Sequence, residues 1–158
     1  MNDWTRALRD GVLAGSLASV LSAAALLFFG QRDEEEPLGP VNAVSHWVWG
    51  DPALQEDRAT LRHTLLGYAI HHVASLFWST LHMYAWHRRR RDEAVKPGPA
   101  MAQAGVTAAA ACFVDYQLTP RRLTPGFEHR LTKPQLAGVY ACFAVGLAIG
   151  TVLASRRR

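Results

Sequence analysis

The chain has 158 residues, 17 Lys+Arg against 13 Asp+Glu, and a hydrophobic share of 49%. Two cysteines are too few for a disulfide-stapled secreted module, and the length excludes a second domain or a long disordered tail. Charged residues make up 19% of the chain, yet residues 11–31, 63–87, 97–114 and 134–155 contain no Asp, Glu, Lys or Arg. A hydrocarbon core ~30 Å thick takes ~20 helical residues to cross. The four windows therefore predict an all-α, integral membrane four-helix bundle in a single domain. Its spans should lie near 11–30, 64–87, 99–116 and 134–154, with outer loops at 31–63 and 117–133 and an inner loop at 88–98.

The first window, GVLAGSLASVLSAAALLFFG, outlasts the ~7–15-residue apolar stretch of a signal peptide. It reads as an uncleaved anchor, followed by a solvated acidic loop from Asp33 to Glu36. Gly11, Gly15 and Ser19 recur at i, i+4 spacing, which allows close helix approach. In the outer loop, Val41 to Gly50 carries Trp47 and Trp49 and suits a short interfacial segment at headgroup level. Asp51-Pro52 resembles a helix start. A helix from there to Arg91 would run ~60 Å. It would protrude on the outer side or kink near Thr60–Thr64.

The second window holds most of the histidines. At 100° per residue, His71, Ser75, Trp78 and His82 share one face with Gly67, while His72 points away beside Tyr68, Leu76 and Ser79. An imidazole in lipid without a partner is costly, so this polar-aromatic stripe should look into the bundle. His71 and His82 would stand ~16 Å apart along the axis, too far to share one metal ion. His87, beside the arginines, reads as interfacial.

The third window, MAQAGVTAAAACFV, is alanine-rich and should lie inside the bundle. The fourth repeats Gly138, Cys142, Gly146 and Gly150 on one face. This spacing favours close packing within the monomer over homodimerisation. Cys112 and Cys142, without a CxxC motif, read as packing residues.

Lys and Arg concentrate on cytoplasmic loops. With the N-terminus inside, the inner segments carry ten of them (Arg6, Arg9, Arg88–Arg91, Lys96, Arg156–Arg158) and the outer segments seven. Acids divide four inside and nine outside. Both termini should therefore be cytoplasmic, in an inner (cytoplasmic) membrane of bacterial type. The pI of 9.5 is a topology signal and not a sign of a nucleic-acid partner.

No Ser-His-Asp order, phosphate-cradling loop or nucleotide fingerprint occurs. On the outer side, His46, His63, His71, Asp115, Glu128 and His129 are the residue types that hold a divalent metal, with His46, His71 and Asp115 the best placed. Their spacing matches no compact motif such as HExxH. Haem is less well supported, because the other three spans offer no facing histidine. The structural alternative is an Asp115–Arg122 or Glu128–Arg121 pair that locks the loop to the bundle. Otherwise Arg121 and Arg122 form an anion site.

The favoured expectation is an accessory subunit or membrane factor acting through interactions, with the bilayer as its first partner and a homodimer or larger membrane complex as its setting. The alternatives are a metal- or cofactor-bearing redox or hydrolytic protein using the outer histidines and Asp115, and an oligomeric channel or carrier lined by the histidine stripe.

Overall fold

The structure, a computed structural model, describes residues 2–89 and 95–156, apart from the side chains of Asp33 and Glu34. Arg90, Arg91, Arg157 and Arg158 lie outside the described residues, as do residues 92–94 of the run that the sequence assigns to the inner loop. All regular structure among the described residues is helical, and no strand forms. In chain order the α-helices are α1 (Asp3–Glu34), α2 (Gly39–Ala43), α3 (His46–Trp49), α4 (Leu66–Arg89), α5 (Pro97–Phe113) and α6 (Lys133–Ser155).

Each long helix has a chemical reason to start where it does. Asn2 caps α1, its side-chain oxygen accepting from the Thr5 N–H at 2.8 Å. Thr60, in extended conformation, accepts from the His63 N–H and opens a π turn, Leu61–Leu65, that feeds α4. Pro97 and Pro99 open α5. Thr132 opens α6, its backbone N–H donating 2.7 Å to Gln135 Oε1 as in a capping box. Beyond Phe113, α5 continues through a second π turn, Val114–Leu118, closed by the Thr119 N–H on the Val114 carbonyl at 2.9 Å.

The helix predicted from Pro52 to Arg91 is not continuous. Asp51–Gln55 is a short 3-10 turn, and helix resumes only at Leu61. Asn42 is the cause. Fully buried, it donates from Nδ2 to the carbonyls of Glu56 (2.9 Å) and Arg58 (3.1 Å), and its Oδ1 accepts from Thr64. These bonds anchor residues 56–58 on α2 in a non-helical path, with Glu56 extended.

α1 packs along both α4 and α6, and α6 packs along α5, whereas α4 and α5 barely touch. Ala7, Trp86, Ala100 and Ala154 share one core cluster, so the start of α1, the end of α4, the start of α5 and the end of α6 meet at one end. A second cluster at the other end joins Leu26, Val41, Val44, Phe127 and Val139. The small residues serve contacts inside the chain. A Cβ on Gly146 or Gly150 would strike the Ala18 or Ala14 backbone of α1, and one on Gly15 would strike Ser79 and Leu76 of α4.

Two helical stretches, Asp3–Arg32 and Lys133–Ser155, are long and apolar enough to cross a membrane. By contrast, α4 carries four imidazoles along its length, and α5 is 17 residues long.

Residues 37–50 close one end of the bundle. Val41 to His46 are buried, with only Val48 and Trp49 strongly exposed among the large apolar groups there. The segment is thus packed into the bundle end instead of lying flat as a surface strip. Gly67 makes this approach feasible, because the Val41 carbonyl occupies the space a Cβ would need.

Candidate functional site

The stripe predicted on the second long helix does face inward. His71 Nε2 lies 2.9 Å from Ser22 Oγ of α1, and Ser75 Oγ donates to the His71 carbonyl at 2.8 Å. His82 is 1% exposed and bridges two helices: Nδ1 meets Thr107 Oγ1 of α5 at 3.0 Å, and Nε2 meets Thr151 Oγ1 of α6 at 2.9 Å. Gln103 adds a donor to the His82 carbonyl at 3.0 Å. Both threonines also stand within reach of their own helix carbonyls, Gln103 and Leu147. A neutral imidazole offers one N–H and one lone pair, so one threonine must turn its proton to the ring while the other accepts from it.

His87, expected at the interface, is buried between helices. It is 2% exposed and lies 3.2 Å from the buried carboxylate of Asp10, which Arg9 also contacts at 2.9 Å. Asp10 at the start of α1 was legible only as one charge in an arginine-flanked helix end. Ser22, Thr107 and Thr151 gave no sequence signal either, since single hydroxyls in apolar windows are common and their partners sit 25 to 69 residues away.

Between α4 and α5 the interior opens into a cavity of about 680 Å³. Its α4 wall is Ile70, His71, Val73, Ala74, Phe77 and Trp78; the opposite wall is Ala111, Val114 and Asp115, with Tyr140 and Phe143 of α6 behind. Trp47, Leu123, Pro125 and Phe127 close its loop end. Trp47 is fixed there by its Nε1–H, which donates to the Thr124 carbonyl at 2.8 Å. The gap persists because α5 presents alanines at this height, too small to reach α4. Besides the hydroxyls of Ser75 and Thr119, which donate to carbonyls of their own segments, polar atoms enter at two places. One is His71 with Ser22; the other is Asp115, whose Oδ2 accepts from the Tyr140 hydroxyl at 2.5 Å. The second π turn sets Asp115 in this position, and the Tyr116 and Tyr140 rings meet edge to face at 6.2 Å beside it.

The expected loop pairs do not form among the described residues. Asp115 is held by Tyr140, while Arg121 and Arg122 are exposed. A phenol beside Asp115 needs no loop closure, whereas two flexible arginines at an exposed turn gain little from one buried carboxylate. The loop is tied by other means: Arg130 pairs with Asp57 and lies over Gly39, and Phe127 enters the core.

The candidate metal ligands are spread out. His46 is buried with Nδ1 2.8 Å from the Ala43 carbonyl, and its Nε2 has no hydrogen-bond partner among the described residues. His63 Nδ1 meets Ser45 Oγ at 3.0 Å. His71 and Asp115 line the cavity, Glu128 is half-buried, and His129 is exposed 3.9 Å from it. Among the described residues no three His, Cys, Asp or Glu side chains gather as a metal-binding group. Cys112 and Cys142 are free thiols.

No protein-family model, curated protein or solved structure matches this chain.

Proposed function

We propose that this chain is a multi-pass inner-membrane protein whose four long helices all cross the bilayer, with both termini on the cytoplasmic side. It acts through interactions, as an accessory subunit or membrane factor. The observation that carries this reading is the distribution of polar and large apolar groups over the bundle. Asp10, Ser19, Ser22, Ser75, Ser79, His82, His87 and Thr151 are buried, while Val12, Val20, Phe28, Val73, Phe77, Val106, Phe113 and Ile149 face outward. In water such a belt of large apolar groups, around an alanine-rich core that also holds these polar groups, would be a severe liability; in lipid it is the stable arrangement.

Length supports the two less apolar spans. With its π extension, the helix from Pro97 to Leu118 runs ~33 Å, and that from Leu61 to Arg89 over 40 Å, each enough for a ~30 Å core. His71, His82 and His87 of α4 are engaged by neighbouring helices, which is how intramembrane polar groups are kept tolerable. Interaction is favoured over catalysis because the polar contacts of the interior hold helices together.

Membranes washed with alkaline carbonate test the location. The protein should stay in the pellet and leave it only with detergent; release by carbonate alone would overturn the reading. Affinity isolation in mild detergent tests the mode of action. A stoichiometric, reproducible co-purifying membrane protein is expected, and its loss with substitutions on one helix face would identify the contact.

A further inference from the structure

We infer that the cavity between α4 and α5 is a binding site for an uncharged, ring-headed amphiphile of the alkylated quinone or phenol kind, taken up sideways from the bilayer. The inference rests on the membrane reading above and names the chemistry of the cleft. Four observations lead to it.

The volume, about 680 Å³, falls in the roughly 300–1,000 Å³ range of small-molecule sites and is too small for a partner helix with its side chains. The mouth faces the apolar belt: Val73 and Phe77 on its α4 lip are 65% and 58% exposed. An occupant therefore arrives through lipid. The lining is aromatic on several sides, with Phe77, Trp78, Tyr140 and Phe143, which favours a planar ring over a bare acyl chain.

Charge decides the head group. Among the described residues no Lys or Arg lines the cavity, so a phosphate or carboxylate head would enter without a counter-charge. The hydroxyls of Ser75 and Thr119 donate to backbone carbonyls, which leaves the His71 imidazole beside Ser22 on one side and a carboxyl–phenol pair across from it. These suit carbonyl or hydroxyl groups on opposite edges of one ring, each exchanging a single hydrogen bond. The apolar tail would leave between Val73 and Phe77 towards lipid. The site binds; no electron transfer is assigned to it.

The test uses the full chain in phosphatidylcholine nanodiscs, once its helical signal in the discs is established. Trp78 and Trp47 line the cavity, so decyl-benzoquinone should quench tryptophan fluorescence saturably and with one site per chain. Decylbenzene, lacking the carbonyls, should compete at least tenfold more weakly. Ala111→Leu, which fills the cavity, and His71→Leu, which removes one polar edge, should each weaken the quinone at least tenfold. Val106→Ala on the lipid face should change nothing. Quenching that rises linearly as in discs carrying a tryptophan peptide, or that both cavity variants leave intact, would overturn the proposal. So would decylbenzene competing as well as the quinone. These failures occur on inserted protein, and so leave the membrane reading standing.

Discussion

His82 of α4 and Thr151 of α6 meet 2.9 Å apart in the bundle interior, where both side chains are about 1% exposed. With Thr107 on the other ring nitrogen, this contact links three helices at one level. The two partners are not equivalent. Without His82, each threonine still has its own helix carbonyl; without Thr151, a buried ring nitrogen is left bare. His82→Leu should therefore be milder than Thr151→Val, by about 1 kcal/mol on the scale of buried hydrogen bonds. Unfolding in mixed detergent micelles measures the order, and the reverse order would refute the assignment.

The α1–α6 contact makes a sharper distinction among glycines. Gly146→Leu or Gly150→Leu would drive a side chain into the α1 backbone and should abolish the folded bundle. Gly105 has open space around its Cβ position, so Gly105→Ala should stabilise by about 0.4–1 kcal/mol. Thermal melting in detergent separates the three variants.

Asn42 ties the covering segment to the start of the second long helix through three hydrogen bonds. Asn42→Ala should cost about 2–3 kcal/mol, given ~1 kcal/mol for each bond. The loss should concentrate at that end of the bundle. Amide exchange would speed up over residues 51–65 and stay slow over α6.

Acid should loosen the same segment. The half-buried Glu56 carboxylate is held below its ordinary value, first by the Arg58 backbone N–H and then by the Arg58 side chain. A carboxyl lowered in the folded state contributes above its unfolded value and loses that contribution as pH falls through the folded one. Pepsin cleavage within 51–60 should therefore rise below about pH 4, where glutamate begins to protonate. Glu56→Gln should flatten the response, leaving the helices intact throughout.

Much of this architecture was legible in the chain. The charge-free windows found the four long helices, although α1 extends past its window at both ends, from Asp3 to Glu34. Helical periodicity also found the inward face of His71 and His82. What stayed hidden depends on residues far apart. Asn42 interrupts a helix predicted from Pro52 by capturing carbonyls 14 and 16 residues away. Asp115 takes Tyr140 as partner, 25 residues on, in place of the nearby Arg122. His87 finds Asp10 across the bundle. The cavity is invisible in one dimension, since alanines in a window such as Met101–Val114 look the same whether they permit close packing or leave a gap.

Orientation is the most direct measure of the central claim, that lipid surrounds all four long helices. Reporters active only in the cytoplasm or only outside it can be fused after residue 156, at the N-terminus, and within 117–132. Both ends should report the cytoplasm and the 117–132 fusion the outer side. Ends reporting from opposite sides, or full activity from a protein left in solution after membranes are removed, would contradict the account.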